Sequence, residues 1–269
     1  MDSNSLAPTG ALGPALIPAP HSGGSIEPER VVPQNPAEVL AALMDFPGSV
    51  ALAELLESGA STVVPHPQAG SLGERLLEDV RARLDALEPT ALRPIMGRRA
   101  PQVPSVDELM TIVARHDLER TRDANTVQRL ADELSGPFRD ALSTSLRQAQ
   151  AHVATLRWEI VHDVRVLGPN ADRLERLDAA LTRSMQVKMG ELFDRMEHAA
   201  YLTFVRACSH AVEELGNDVS RESLSAWTTE DGWIERYRER CVRMAKALFG
   251  HMRRGLEGLV RAAAHAEET

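Results

Sequence analysis

Residues 156–174 read LRWEIVHDVRVLGPNADRL, and the break inside them decides the fold. Upstream of the break, Leu142, Leu146, Ala149, Val153, Leu156 and Ile160 alternate steps of four and three residues. That is the heptad spacing of a helix that buries one seam against another. The next heptad position is Asp163, and the apolar stripe moves instead to Val164 and Leu167, a local stutter. Gly168-Pro169-Asn170 then ends one helix and starts the next, because proline is well placed at a first helical position. Downstream, Leu174, Leu177, Leu181, Met185, Met189, Leu192, Met196, Ala200, Phe204, Cys208, Ala211 and Leu215 continue at helical spacing. At 1.5 Å per residue this arm reaches roughly 60–70 Å. A helical hairpin from Pro137 to Leu215 is expected, with Gly216-Asn217 as its C-terminal stop.

Working outward, Ser135-Gly136-Pro137 predicts a stop before the hairpin. Before it, a helix opens on Leu109, Ile112 and Val113, weakens near Asn125, and resumes with Val127, Leu130 and Leu134. Ser105 and Glu108 predict a capping box at its start, as do Ser71 and Glu74 for a helix through Leu76, Leu77, Val80, Leu84 and Leu87 that ends before Pro89. Arg93 to Pro104 reads as a loop. Asn35-Pro36 opens a short helix with Val39, Leu40, Leu43 and Met44 inward. Ser49 caps another with Leu52, Leu55 and Leu56 inward. The unperiodic prolines from Pro8 to Pro33 predict a disordered tail. The expected organisation is therefore a Pro/Gly-rich tail over 1–35, a region of short helices over 36–104, and the hairpin plus a C-terminal helix over 105–269.

The C-terminal helix, from about Gly232 to Ala264, is amphipathic. Ile234, Tyr237, Cys241, Met244, Ala245, Leu248, Phe249, Met252, Leu256, Leu259 and Val260 share one side. Arg236, Arg240, Arg243, Lys246, Arg253, Arg254 and Arg261 lie on the other. This helix carries eight basic and three acidic residues, so it is locally cationic in a chain of net charge −9. Trp227 and Trp233 bracket its start and are expected to anchor it by packing. The candidate interaction surface is Arg236, Arg240, Arg243, Arg253 and Arg254 with Trp233.

Composition excludes several functions. The chain is 43% hydrophobic but only 4% aromatic, which suits helix packing better than sheets. Its acidity makes nucleic acid an unfavourable general partner. Cys208 and Cys241 do not make a disulfide framework and fall on apolar helix faces. No run of about eighteen apolar residues predicts a membrane span, and Met1 to Pro20 lack the basic region of a secretory signal, so a cytoplasmic location is expected. Glu159 and His162 form an E-x-x-H, as in helical di-iron sites, but no second such motif completes it. No spacing for zinc, phosphate-loop, dinucleotide or nucleophile-elbow chemistry occurs. No catalytic residue, metal or cofactor is expected.

Gly232-Trp233-Ile234, Tyr237, Met244, Leu248 and the closing Leu256-Glu257-Gly258-Leu259-Val260 resemble the end of a proteobacterial helical family known only as a domain of unknown function. Leu174 to Leu181 resembles that family's long second arm. The resemblance covers the C-terminal half and carries no catalytic residues. Members are encoded beside envelope proteins similar to proton-channel stator subunits and OmpA-like anchors. It implies an accessory component of such a complex, at the inner face of the membrane. The functional expectation is a non-enzymatic helical adaptor or scaffold with protein partners, self-association included. The alternative is peripheral membrane or nucleic-acid binding through the basic C-terminal helix.

Overall fold

The computed structural model describes residues 68–118, 120–216 and 219–266, without the side chains of 184–187. The expected tail and the two short helices before residue 59 lie outside the described residues. What is described is all-α, with seven helices and one 3-10 turn.

The first helix, α1 (Ala69–Ala91), starts earlier and ends later than its sequence signals imply. Ser71 sits inside the first turn and donates its hydroxyl to the Gln68 carbonyl at 3.2 Å, so the expected box with Glu74 does not form. Pro89 lies in the last turn, where its missing N–H costs one bond at most, and the helix passes through it. The expected loop after it holds a short helix, α2 (Arg93–Met96), which buries Ile95. The capping box of α3 (Val106–Arg115) forms as expected: Glu108 N–H donates to Ser105 Oγ at 3.3 Å, and Ser105 N–H to Glu108 Oε2 at 2.7 Å. That donation, first from the Ser105 backbone, holds the Glu108 carboxyl below its usual range.

The expected weakening near Asn125 is a complete break. Helix α3 ends at Arg115, Asp117 takes a positive φ of 50°, and Asp123 caps a new helix by accepting Thr126 N–H at 2.7 Å. That helix, α4 (Ala124–Arg165), runs without interruption through Ser135-Gly136-Pro137, so the expected stop there is also corrected. Pro137 faces solvent, which can hydrate the freed carbonyl, while Leu134 and Phe138 on either side are buried. Tertiary burial outweighs the local breakers.

Gly168 and Pro169 turn the chain into α5 (Pro169–Glu214), and Gly216, at φ 50°, ends it. A short helix α6 (Arg221–Ser225) and a 3-10 turn (Ala226–Thr228) lead to α7 (Trp233–Ala266). The stutter is as read: Asp163 is exposed, and Val164 and Leu167 are buried.

Cross-helix pairs give the topology. Arg139–Glu197, Arg157–Asp178 and Arg165–Glu175 run α5 antiparallel to α4. Phe204 packs on Trp233 and Tyr237 with ring centroids 4.8 and 4.4 Å away, and Asn170 Nδ2 donates to the Ala266 carbonyl at 3.0 Å, so α7 is antiparallel to α5. Arg253–Asp85 and Arg81–Glu257 set α1 antiparallel to α7, and Arg83–Glu159 ties α1 to α4. The result is an up-down-up-down four-helix bundle. Helices α4 and α7 are the near diagonal, and α1 and α5 stand at the far corners. The described part of the N-terminal region thus packs into the main bundle, not beside it. One continuous core of Leu, Ala, Val and a few aromatic residues fills the centre.

Candidate interaction surface

The basic residues of α7 divide between two edges of that helix. On the edge toward α1, Arg253 is clamped between Asp85 and Glu257. Those two carboxylates, Asp85 first, hold its guanidinium above its already high ordinary value. Arg253 is therefore a structural tie between helices. Arg243 is exposed and pairs with Glu239 at 3.3 Å one turn before it.

On the opposite edge, Arg236, Arg240, Ala247 and Arg254 recur at steps of four, seven and seven, and all are exposed. None of these three arginines forms an ion pair among the described residues. Glu239 and Glu257 lie three residues on from Arg236 and Arg254, about 60° around the helix and toward α1, where Arg243 and Arg253 engage them.

Helix α5 borders this cationic edge. Leu192, Met196, Thr203, Ala207 and Glu214 recur at steps of four, seven, four and seven, one strip along α5. Ala211 and Glu214 share a cleft of about 350 Å³ with Arg236, Trp227, Asp231 and Trp233, which places the α5 strip and the α7 edge on the same side of the bundle. With α5 and α7 antiparallel and Phe204 beside Trp233, Met196 stands opposite Arg240 and Leu192 opposite Met244.

The strip on α5 departs from expectation. The sequence places Leu192 and Met196 on the buried seam, yet they are 50% and 40% exposed. Ala200, Phe204, Cys208 and Ala211 further along are buried as expected. Helix α1, which covers the other side of α7, stands across the bundle and does not reach this strip. An exposed apolar strip on α5 thus borders the flank of α7 that carries Arg236, Arg240 and Arg254. Seam spacing was the signal for these residues.

Trp233 does not project from this surface. It packs on Phe204 and, edge to face at 5.3 Å, on Trp227, with its indole N–H buried and without a hydrogen-bond partner. The cleft beside it mixes Arg236 with Glu214 and Asp231, and selects no anion. Glu159 and His162 are exposed, and Glu159 is engaged by Arg83. Among the described residues no cluster of three or more His, Cys, Asp or Glu is placed to hold a metal ion, and no helix is long and apolar enough to cross a membrane. No family model, curated protein or solved structure matches the chain.

Proposed function

We propose that this protein is a non-enzymatic helical adaptor that recruits a partner helix to the exposed strip of α5 beside α7. The observation that carries the reading is the exposure of Leu192 and Met196 beside Arg240, with Arg236 and Arg254 further along the same helix. Methionine and leucine accept an apolar helix face without demanding one shape. Arginines along α7 favour acidic flanks on that helix and speed its encounter. The resemblance of the C-terminal half makes an envelope-associated complex, of the proton-channel and OmpA-like kind, the first place to look for the partner.

The test is affinity capture of the tagged protein from its own cells, membranes solubilised, beside a variant carrying Leu192→Glu and Met196→Glu. A protein retained by the wild type and lost by the variant supports the reading. Identical eluates, or binding to anionic vesicles that the variant retains, overturn it.

A further inference from the structure

We infer that the turn after α2, with Arg93, Met96, Arg98 and Arg99 at its surface, is a second docking site. Its partner is an extended acidic segment of another protein, with an apolar residue among the carboxylates. The inference goes beyond the adaptor reading, because α2 packs on α4 and α7 at the end of α1, across the bundle from α5.

Three observations support it. The first is charge. From Pro89 to Val106 the chain has three arginines, Arg93, Arg98 and Arg99, and no acidic residue. All three are exposed, and none forms an ion pair or a side-chain hydrogen bond among the described residues. The surrounding elements offset this charge little. Arg253 meets Asp85 and Arg83 meets Glu159, so α7 and α4 pass beside α2 near Lys246 and Gln148. On α7, Glu235 and Glu239 are engaged by Arg238 and Arg243. On α4, residues 141–151 hold Arg147 and no acid. Beyond the turn, Arg221 engages Asp107, and the Ser105 cap engages Glu108. Glu88, in the last turn of α1, borders the site on that side.

The second is rigidity. Ala100 N–H donates to the Gly97 carbonyl at 2.9 Å, closing a turn whose two central residues are Arg98 and Arg99. Ile95 before it and Ala100 after it are buried and pin both ends to the core. A Cβ on Gly97 would lie 2.6 Å from the Arg93 carbonyl oxygen, so the turn folds back on the first arginine. A backbone held this way loses little freedom when a partner binds. The third is Met96, which stands between the arginines and is 46% exposed. Its thioether chain accepts an apolar residue of varied shape.

The narrowness of the patch selects the occupant. Helix α1 beside it carries Glu74, Glu78, Asp79, Asp85 and Glu88 against Arg75, Arg81 and Arg83. A lipid surface or a nucleic-acid duplex presents its negative charge over a broad front and would meet those acids too. A single extended chain meets the arginines of the turn alone. Screening confines the attraction to about 8–10 Å in physiological salt, which also shields such a segment from the net charge of the whole protein.

The experiment titrates the full-length protein into a fluorescein-labelled peptide of repeating Glu-Leu-Glu and follows its anisotropy, with a Gln-Leu-Gln peptide as the neutral counterpart. The expected result is binding of the acidic peptide alone, weakened by salt. Arg98→Glu/Arg99→Glu should weaken it about 10-fold, since each exposed charge contributes a few-fold. Met96→Ala should weaken it a few-fold and leave the salt dependence unchanged. Arg195→Glu/Arg206→Glu makes the same change of net charge on the outer side of α5 and should bind as the wild type does. No binding at low salt, or an equal loss in both double variants, overturns the site. Loss with Leu192→Glu/Met196→Glu instead assigns the peptide to the α5 strip and also overturns it. A DNA duplex and phosphatidylserine vesicles are assayed in parallel, and tighter binding of either that depends on Arg98 and Arg99 overturns the choice of partner. Self-association at low salt that the same variant abolishes does so too, by making a second copy the occupant. Every substituted side chain is exposed, so unchanged thermal melts should accompany each variant.

Discussion

Arg165, the last residue of α4, donates through Nε and Nη2 to a single carboxylate oxygen of Glu175 in α5, at 2.9 and 2.6 Å. Glu175 is almost fully buried, as is Asp172, which lies 3.6 Å from Arg165 and 2.7 Å from Arg176. Two buried carboxylates one turn apart would repel each other and oppose the hairpin turn. The guanidinium that bridges the arms makes their burial tolerable. Replacing Arg165 by alanine leaves buried Glu175 without its cation, but Arg165 is itself 43% exposed, so water replaces part of the contact and the loss should be about 1–3 kcal/mol. Urea denaturation should show the midpoint fall with no change in slope. Arg165→Lys should recover part of the loss, because an ammonium supplies the charge without the fork that spans both acids.

The closest approach between α1 and α7 predicts opposite outcomes at two glycines. A Cβ built on Gly73 lies 2.3 Å from Ala264 Cβ and 2.8 Å from its Cα, so the backbones themselves must separate. Gly73→Ala should therefore cost about 1–3 kcal/mol. A Cβ on Gly250 of α7 meets nothing within 4 Å. Gly250→Ala should stabilise the helix by about 0.5–1 kcal/mol. Thermal melts of both variants check the sign, and a neutral Gly73→Ala would mean that the two helices do not meet this closely.

What could be read in advance follows from how far each determinant lies along the chain. The α4 seam, the Gly168-Pro169 turn and the Ser105–Glu108 box were legible, since each rests on residues within a few turns of one another. The passage of α4 through Pro137 was not, because the breaker is local while the burial of Leu134 and Phe138 depends on α7, a hundred residues away. Arg253 shows the same limit. On a helical wheel it belongs to the polar side with Arg254, and only the docking of α1 brings Asp85 to it. Leu192 and Met196 are the reverse case: the four successive four-residue steps from Leu192 to Cys208 each drift about 40° around the helix, so the apolar stripe leaves the buried face before it reaches them.

Burial sets the chemistry of the two thiols. It pushes Cys208 up to about 12 and Cys241 up to about 11. At pH 8 the thiolate fraction of either is then on the order of one in a thousand or less. A disulfide reagent added to the native protein should titrate no thiol rapidly, and both after denaturation. The same shifts give a pH dependence of stability. Below the ordinary cysteine value of about 9 both states are protonated and nothing is lost. Above it the unfolded chain ionises while the folded one does not, so stability should fall as the pH rises through 9 toward 11. Cysteine-to-alanine variants with a flatter alkaline limb would attribute the slope to these thiols.

Trp158 separates surface from core in a way that fluorescence can read. It is 79% exposed on α4, while Trp227 is buried and Trp233 is packed between Phe204 and Trp227. On the α4 wheel it points away from Leu156 and Ile160, between Arg157, which binds Asp178 of α5, and Glu159, which binds Arg83 of α1. It therefore stands on the outer ridge of the bundle, without helix contact. Iodide should quench its emission and leave the other two largely untouched, so Trp158→Phe should abolish the quenchable fraction. Because no core contact is removed, Trp158→Ala should change stability by less than about 0.5 kcal/mol. Trp227→Ala, which empties a buried site at the root of α7, should cost about 3–5 kcal/mol. A Trp158→Ala loss as large as that would mean the ridge is covered in solution.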